Sequence, residues 1–449
     1  MTTEPRALRL GAERLATTFA GDPDRPFLRE GGEVWTVGRL LAYAADVDHR
    51  LPRDAGPAVG VRSHSAAFVV ASLLGLWKSN RLPLLIDPSL AAEPSGLRSS
   101  SPRMPVLAPA GVTDPWADVL VAETGGGLLD PHLPLADEAE VGFFTSGSTG
   151  EPKIVRKRAY QLGEQHAMEA PWLGLSGPIS VLCLVPAFHI LGYIYGFSTP
   201  AAGGGVTTFS RGASPQAWVE HIAAEQPTLI IGVPSHYRLM AQVSGPSLPR
   251  AIYLCSGGPL DPAVAAEFER RAGTPVLQVY GSTETGGIAT RLGAGPWRTM
   301  PGLAWERRKL DGRLLITSAW QDRPQEWYCT DDVIASDGET FRLLGRADSI
   351  VKIGGRRFST GELVQAALTA PHVEQAHAVV YDRFGELAVA LFVVSPRDAV
   401  VTPADVRTFL AGRLAPFKLP RTIQVVNELP TRSIGKIDDE ALRESLSRG

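Results

Sequence analysis

A loop of small residues, hydroxyls and one cation follows an apolar run in the first half of the chain. Its sequence is Phe143-Phe144-Thr145-Ser146-Gly147-Ser148-Thr149-Gly150-Glu151-Pro152-Lys153. Glycines let the backbone approach an anion, successive N–H groups form a concave anion site, and hydroxyls with Lys153 add donors and charge. The pattern therefore predicts a phosphate-binding loop. Neither Gly142 nor Gly147 leads into the Gly-Lys-Ser/Thr ending of a P-loop, so P-loop chemistry is not expected.

Four later segments carry further signals. They are Val185-Pro186-Ala187-Phe188-His189-Ile190-Leu191-Gly192, Tyr280-Gly281-Ser282-Thr283-Glu284-Thr285-Gly286, Tyr328-Cys329-Thr330-Asp331-Asp332 with Gly345-Arg346-Ala347-Asp348, and Leu429-Pro430-Thr431-Arg432-Ser433-Ile434-Gly435-Lys436-Ile437. Together with the first loop, these segments resemble the adenylate-forming superfamily, which comprises acyl-CoA synthetases, nonribosomal peptide adenylation domains and luciferases. The resemblance extends from about Trp35 to Lys436, and five motifs in one order make a chance match very improbable.

The resemblance implies an α/β fold with a large N-terminal domain of layered α/β subdomains and a small, mobile α+β C-terminal domain. It places residues 1–347 in the domain that binds AMP and the acyl substrate, and residues 348–449 in a mobile lid with a hinge near Asp348. In the family, the lid alternates between one pose for adenylate formation and another for thiol transfer. The length of 449 residues also favours two domains, because one core of that size would be unusual.

The resemblance assigns catalytic roles to four residues. Lys436 would reach in from the small domain to bridge the carboxylate and α-phosphate oxygens. Glu284 would bind Mg²⁺, a hard cation that prefers carboxylate oxygens, and Thr283 would contact the α-phosphate. His189 would form a gate between the acid site and the thiol channel. A surface lysine, a helix-capping Thr-Glu pair and a core histidine are the ordinary structural alternatives for these residue types.

The same resemblance predicts the nucleotide site. Tyr280 would flank adenine, and residues 256–259 would line the other side of the base through backbone contacts. Asp332 would accept hydrogen bonds from both ribose hydroxyls, and Arg346 would contact the ribose or the phosphates. The residues expected to bind ATP or coenzyme A are Thr145, Ser146, Gly147, Ser148, Thr149, Gly150, Lys153, Ser256, Gly257, Gly258, Pro259, Tyr280, Gly281, Ser282, Thr283, Asp332, Arg346 and Lys352.

One position departs from the family pattern. The residue before Asp332 is normally Gly, whereas this chain has Asp331. The extra side chain adds a carboxylate beside the predicted ribose ligand. The departure puts the local geometry in question while leaving the prediction of nucleotide binding in place.

The acid site is predicted downstream of the gate. The residues expected to border it are His189, Tyr193, Tyr195, Val233, Gly281 and Gly286. Aromatic and small residues together favour a flat or medium-sized apolar acid. Tyrosines and phenylalanines at this spacing are equally typical of ordinary helix packing, so both interpretations stay open at this point.

Coarse periodicity predicts the elements that must position these residues. Short apolar runs typical of buried parallel strands occupy residues 82–86, 179–185, 228–233, 251–255 and 275–279. Residues 178–210 contain no Asp, Glu, Lys or Arg, but prolines, His189 and a glycine run interrupt them. A buried strand followed by a short helix at 190–198 explains this stretch better than a membrane span.

Beyond Asp348 the pattern changes to that of a small α+β unit. It predicts a helix at 360–368, a strand pair near 376–381 and 387–394, and a helix at 403–414. About a hundred residues suffice for a small core but not for a site of its own, which suits a lid.

Composition excludes several classes of function. The formal net charge of −3 gives no field for nucleic acid or an anionic membrane. Cys183, Cys255 and Cys329 are widely separated and lack zinc-ligand spacing, so neither a disulfide framework nor a structural metal site is expected. The N-terminal residues lack the apolar core of a signal peptide, and a reducing cytoplasm is the predicted location.

Several functions remain open at this stage. The leading prediction is adenylation of an aryl or medium-sized acyl acid by ATP with pyrophosphate release, followed by transfer to coenzyme A. The alternatives are loading of an acyl or peptidyl carrier protein, or activation of an oxyacid such as nitrite for diazotising an aryl amine, or transfer to an amine. A degenerate nucleotide-binding module is the non-enzymatic alternative, which the retained Lys153, Glu284 and Lys436 argue against. The chain is shorter than most free-standing ligases of the family and resembles trimmed enzymes of secondary metabolism.

Overall fold

The computed structural model describes residues 19, 21–90, 104–112, 114, 117–123, 139–146, 152–210, 212–321, 323, 326–347, 350–353, 356–383, 386–396, 399–431 and 437–447. The chain divides into two compact units. The first comprises Met1–Gly295, Thr299–Leu303 and Ser318–Glu326, and the second comprises Pro296–Arg298, Ala304–Thr317 and Trp327–Gly449. Asp348 lies outside the described residues, so the predicted hinge and the domain boundary at residue 347 stay predictions.

The first unit is a mixed α/β structure. Its strands are β1 Pro26–Glu30, β2 Glu33–Thr36, β3 Ala58–Arg62, β4 Leu82–Ile86, β5 Val106–Pro109, β6 Val119–Val121, β7 Glu140–Ser146, β8 Pro152–Arg158, β9 Ser180–Cys183, β10 Val206–Phe209, β11 Leu229–Gly232, β12 Ile252–Cys255, β13 Leu277–Ser282 and β14 Gly286–Leu292. Its helices are α1 Val37–Arg50, α2 Ala66–Lys78, α3 Ala159–Trp172, α4 Ile190–Tyr193, the π-helix Ile194–Ser198, α5 Thr199–Gly203, α6 Pro215–Glu225, α7 Pro234–Gln242 and α8 Pro262–Ala272.

Two largely parallel sheets organise this unit. One has the order β6-β5-β3-β4-β7-β8, and only its β7–β8 pair is antiparallel. In the other, β14, β13, β12, β11, β9, β10, β1 and β2 are neighbours in that order, and its β13–β14 and β1–β2 pairs are antiparallel. The predicted strands are confirmed, because continuous apolar runs are buried on both faces of a parallel sheet.

Helices cover these sheets with apolar side chains. The α2 helix is buried along nearly its whole length, and its first turn is capped by Ser65, whose hydroxyl accepts from the Phe68 N–H at 3.2 Å. Over β11 and β12, a core cluster joins Trp218, Tyr237 and Phe268 from three successive helices. These packed helices hold in place the strands whose ends carry the candidate site.

The uncharged stretch after β9 is helical without a break from Ile190 to Gly203, which confirms the short helix predicted at 190–198 and extends it by five residues. It consists of α4, the π-helix and α5, and Gly204 ends it at a φ of 73°. Its small residues are closely packed: an ideal Cβ at Gly192 would lie 2.1 Å from the Pro186 carbonyl oxygen, and one at Gly196 would lie 2.7 Å from the Phe209 ring. Across the described ranges, no helix has the length and apolar character needed to cross a membrane.

The second unit is an α+β structure. Its strands are β16 Leu303–Arg307, β17 Arg313–Ser318, β18 Tyr328–Ser336, β19 Phe341–Arg346, β20 Ile350–Ile353, β21 Arg356–Ser359, β22 Gln375–Arg383, β23 Glu386–Val394 and β24 Thr422–Val426; β15, Arg298–Thr299, lies where the chain passes between the units. Its helices are α9 Thr360–Leu368, α10 Pro403–Ala411, the 3₁₀ turn Pro416–Lys418 and α11 Asp439–Ser447.

Three sheets form in this unit, β16-β17-β18-β19, β20-β21 and β22-β23-β24. The predicted helix at 360–368 and the predicted strand pair are confirmed, whereas the helix predicted to reach residue 414 ends at Ala411. Leu363, Leu391 and Val406 belong to one buried cluster between α9, β23 and α10. The unit therefore has a core of its own.

Candidate active site

Three loops meet at the carboxyl edge of the larger sheet. Strands β11, β12 and β13 are parallel, so the residues that follow them lie side by side. The Ser256 N–H donates to the Gly232 carbonyl at 3.2 Å. Gly257 has a φ of 88°, and an ideal Cβ there would lie 3.4 Å from Val233 Cγ1. Residues predicted for adenine thus lie beside Val233, which is predicted for the acid, and Tyr280 follows on β13.

The Thr283-Glu284 pair forms the tip of a β-hairpin. Strands β13 and β14 are antiparallel, with Ser282 opposite Gly286. The Ser282 N–H donates to Thr285 Oγ1 at 3.0 Å, and the Thr285 N–H donates back to Ser282 Oγ at 3.3 Å. This reciprocal pair fixes the tip and leaves the side chains of Thr283 and Glu284 partly exposed. The geometry suits residues that must hold one position while meeting a ligand.

Glycine is required on both strands of this hairpin. An ideal Cβ at Gly281 would lie 2.1 Å from the Gly286 carbonyl oxygen. Gly286 has a φ of 68°, in the left-handed region that favours glycine. The glycines of this motif are therefore needed for the close approach of the two strands and for the backbone conformation of the hairpin.

A buried lysine supports the tip from behind. Lys157 lies on β8 with 1 % of its surface exposed, and its ammonium donates to the Glu284 carbonyl oxygen. Within the described part of the chain, the Glu284 carboxylate itself forms no hydrogen bond or ion pair. The backbone of Glu284 is anchored while its carboxylate stays available.

The phosphate-binding loop is the tip of a second hairpin. Strands β7 and β8 pair with Thr145 opposite Lys153 and Ser146 opposite Pro152. Residues 147–151 and the side chains of Thr145, Ser146 and Lys153 lie outside the described residues. The hairpin is established, and the anion site at its tip stays a prediction.

The predicted gate residue faces an acidic side chain. His189 immediately precedes α4, and its Nε2 lies 3.9 Å from Asp87 Oδ2. Asp87 follows β4 of the smaller sheet, so the pair joins the edges of the two sheets of the first unit. The His189 side chain is 21 % exposed and its ring packs on Phe188 at 4.7 Å. A partly accessible imidazole of this kind can exchange protons with a ligand.

A buried polar row, which sequence reasoning missed, lies beside the hairpin of β13 and β14. It consists of Lys157, Gln161, Gln165 and Glu169, spaced by four residues from the end of β8 along α3, and all four are buried. Gln161 accepts from the Arg158 N–H at 2.9 Å, which caps the start of α3, and it donates to the Gln321 carbonyl at 2.7 Å. The four-residue spacing of polar side chains was the available sequence signal.

The row ends at a carboxyl group. Glu169 Oε2 accepts from the Tyr195 hydroxyl at 2.7 Å, and Gln165 Nε2 donates to Glu169 Oε1. Burial raises the pKa of Glu169 to about 7, against the opposing effect of these two hydrogen bonds. Burial and the neighbouring Glu169 hold the pKa of Tyr195 well above its usual range. One predicted acid-site tyrosine is therefore bound to a carboxyl group, while Tyr193 packs edge-on against Phe143 at 5.5 Å.

The second unit carries the predicted ribose ligands. Asp332 on β18 lies opposite Arg346 on β19, and its N–H donates to Thr330 Oγ1 at 3.2 Å. Asp331 forms ion pairs with Arg313 Nη1 at 3.2 Å and Arg346 Nη2 at 3.4 Å. These two guanidinium groups therefore compensate the charge of Asp331, the carboxylate that stands where the family normally has glycine.

The remaining predicted residues are only partly described. Lys436 and Asp348 lie outside the described residues, and the segment that contains Lys436 is closed at its base by a β-bridge between Thr431 and Ile437. Lys352 belongs to β20. Their predicted roles stay predictions.

Comparison with known proteins identifies the family. A sequence profile of the AMP-binding enzymes matches residues 106–309, and a profile of the AMP-binding enzyme C-terminal domain matches residues 362–436. Indoleacetate–CoA ligase of Aromatoleum aromaticum is 24 % identical over 81 % of this chain and 79 % of its own length. A probable non-canonical nonribosomal peptide synthetase, CymA of Salinispora arenicola, is 29 % identical over 99 % of this chain and 6 % of its own length.

The fold is shared with a solved structure. The crystal structure of ATP-bound MatB from Rhodopseudomonas palustris superposes with a TM-score of 0.81 over 97 % of this chain and 99 % of that one, at 19 % identity. The two profiles together cover more than half of the chain. This chain therefore belongs to the adenylate-forming superfamily of AMP-binding enzymes and is an AMP-forming ligase of the kind that includes aryl- and acyl-CoA ligases.

Proposed function

We propose that the protein uses ATP to convert a carboxylic acid into an acyl adenylate with release of pyrophosphate, and then transfers the acyl group to the thiol of coenzyme A. In the first step a carboxylate oxygen attacks the α-phosphorus and pyrophosphate leaves. In the second step the thiol sulfur attacks the acyl carbon and AMP leaves. The observation that supports the proposal is the carboxyl edge of the larger sheet, where the loop predicted for the base is hydrogen-bonded to the loop that contains Val233, beside the anchored Thr283-Glu284 tip.

Phosphoryl transfer needs charge neutralisation and fixed geometry more than covalent chemistry by the protein. The ammonium groups of Lys436 and Lys153 would supply charge, and the Thr283 hydroxyl would contact the α-phosphate. Tyr280, Gly257 and Asp332 would hold the nucleoside. Arg346 would contact the ribose or the phosphates in exchange for its pair with Asp331.

The residues present fit a magnesium ion held mainly by the triphosphate. Glu284 offers a carboxylate without a protein partner among the described residues. Over the same residues, there is no cluster of three or more His, Cys, Asp or Glu side chains that could hold a metal alone. Mg²⁺ commonly binds through one or two carboxylates plus substrate phosphates, where it neutralises the charge on the phosphate oxygens.

Loading of a carrier protein is the second candidate. Its support is that a probable peptide synthetase matches this chain over 99 % of its length, a larger share than the 81 % matched by the CoA ligase. Both functions share the adenylation step and differ only in the thiol that accepts the acyl group.

The decisive experiment measures acid-dependent release of pyrophosphate and AMP from ATP. Benzoates, cinnamates, fatty acids, amino acids and nitrite are each supplied with coenzyme A, with a phosphopantetheinylated carrier protein, or with neither. We expect pyrophosphate release with one class of carboxylic acid and an acyl-CoA product. Activity with the carrier protein alone would establish the second candidate, and turnover with nitrite alone would contradict both.

The Lys436→Ala variant tests the adenylation step itself. We expect it to lose at least about a hundredfold in pyrophosphate release while ATP binding, followed by calorimetry, changes little, because an interaction made in the transition state affects kcat. Lys309→Ala, at an exposed lysine of the second unit, is the matched control and should keep full activity. Equal activity of the two variants would contradict the assigned role.

A further inference from the structure

The end of the polar row is a group of acceptors in need of a donor. Glu169 is 2 % exposed and Gln165 is fully buried. Each oxygen of Glu169 accepts one hydrogen bond, from Tyr195 or from Gln165. An ionised carboxylate offers about four lone-pair sites, so two of them remain unused.

The orientation of Gln165 adds a further acceptor. Its Nε2 faces Glu169, the orientation that pairs a donor with an ionised carboxylate. Its Oε1 is then left without a hydrogen-bond partner in the described structure. An ideal Cβ at Gly286 would lie 2.3 Å from this oxygen, which shows that the oxygen is directed at the start of β14.

This group of acceptors lacks a compensating cation among the described residues. Burial raises the pKa of Glu169, and the hydrogen bonds from Tyr195 and Gln165 lower it. A buried acceptor without a donor costs free energy, and a buried carboxylate without a cation costs more. Buried acceptors without a donor are uncommon and call for a reason such as a ligand, and buried carboxyl groups with strongly raised pKa values are concentrated at functional sites.

The group lies close to where the acid must react. An ideal Cβ at Gly287 would lie 2.5 Å from Glu169 Oε1, so the carboxyl group packs on the backbone of β14. Gly287 is three residues from Glu284 along the chain, which bounds their Cα separation at about 10 Å. The backbone on which Glu169 packs is therefore within the length of a substituted ring from the Thr283-Glu284 tip.

We propose that the acid activated by this enzyme carries a hydrogen-bond donor, an amino or hydroxyl group, at the end remote from its carboxylate, and that Glu169 and Gln165 bind this donor. The inference rests on the proposed adenylation of a carboxylic acid. It replaces the flat apolar acid expected from the aromatic residues alone with a polar-substituted acid of similar size. The Tyr195 hydroxyl acts as a positioning group that holds the carboxyl of Glu169.

The test compares acids of equal shape that differ in the donor. Pyrophosphate release is measured with 4-aminobenzoate against 4-methylbenzoate, and with the 3-substituted and hydroxylated counterparts. We expect the wild-type enzyme to prefer the donor-bearing acid in kcat/KM by at least about tenfold, since an acid without the donor leaves the buried acceptors unpaired. The Glu169→Met variant should lose this preference, chiefly through the aminobenzoate.

A selectivity ratio separates recognition from a purely structural role. Loss of packing at Glu169 would lower kcat/KM for both acids together and leave their ratio unchanged. Tyr195→Phe keeps the carboxyl group and should reduce the ratio only partly. Glu220→Gln, at an exposed glutamate on α6, is the control and should retain the wild-type ratio. If Glu169→Met fails to fold, Gln165→Leu replaces it, and the same fall in the ratio is expected.

The outcomes distinguish the two proposals. Turnover of unsubstituted acids without any preference for a donor, or a ratio unchanged in both Glu169→Met and Gln165→Leu, would overturn the inference and leave adenylation standing. Absence of pyrophosphate release with every acid would overturn the proposed function and this inference with it.

Discussion

The two regions predicted to hold the nucleotide are built in opposite ways. The Thr283-Glu284 tip in the first unit is supported by the buried ammonium of Lys157 and by reciprocal hydrogen bonds between Ser282 and Thr285. In the second unit, Asp331 and Arg346 are held by ion pairs whose side chains are about half exposed. Buried polar contacts leave an unpaired group when broken, whereas exposed pairs exchange with water at little cost. Buried hydrogen bonds therefore hold the first region in one geometry, whereas the exposed ion pairs of the second region can exchange partners.

Among substitutions that test the difference between these two regions, the largest effect is expected from Lys157→Met, which removes the buried ammonium group. The substitution keeps the length of the side chain but leaves the Glu284 carbonyl without its donor. We expect about 2–4 kcal/mol of destabilisation and at least about a tenfold loss of kcat for pyrophosphate release. Lys309→Met is the exposed control. A kcat within about twofold of wild type would show that the tip holds its position without Lys157.

A smaller effect is expected from Gly286→Ala, which tests how tightly the buried polar row packs against the hairpin. The φ of 68° and the Gln165 oxygen 2.3 Å from an ideal Cβ both oppose a side chain there. Gly293→Ala is a matched control, since Gly293 has a φ of 59° and open space around it. We expect about 1–2 kcal/mol of loss at Gly293 from backbone strain alone and a clearly larger loss at Gly286.

The comparison of these two variants uses urea unfolding with each protein under identical conditions. The difference between them reports packing at Gly286, against Gln165 of the polar row and against Trp320, because the backbone strain is common to both. Equal losses would mean that Gln165 moves away freely and that the row does not support the hairpin.

The smallest effect is expected from Asp331→Gly, which restores the residue usual in the family. Removal of the carboxylate releases Arg346 and takes a negative charge from beside the predicted ribose site. We expect KM for ATP to fall by up to about threefold at low ionic strength and the difference to vanish in about 1 M salt, since exposed pairs contribute less than about 1 kcal/mol.

Asp311→Gly is the control for this variant, because Asp311 also pairs with Arg313 but, within the described structure, forms no ion pair with Arg346. It should leave KM for ATP unchanged. A tenfold fall in kcat with Asp331→Gly would contradict the exposed-pair description and assign Asp331 a part in the reaction.

Local sequence patterns predicted much of the secondary structure. The strand at Leu82–Ile86 and the helix at Thr360–Leu368 agree with the structure at both ends, because their hydrophobic periodicity is a property of consecutive residues. The helix predicted at 190–198 is present, but its second half is a π-helix and it continues to Gly203, because close packing between elements is not visible in periodicity. The order of motifs along the chain was enough to predict the family that the comparisons show.

The amino-acid sequence was sufficient to predict the element types and, through the order of its motifs, the superfamily. Which side chains contact each other became visible only in the tertiary structure. Lys157 and Glu284 are 127 residues apart, and Glu169 and Tyr195 are 26 residues apart, yet each pair is joined by a hydrogen bond. Such contacts depend on the order and register of strands in a sheet and on the face that a helix turns toward it. Periodicity along the chain does not encode that arrangement, because it reports one element at a time.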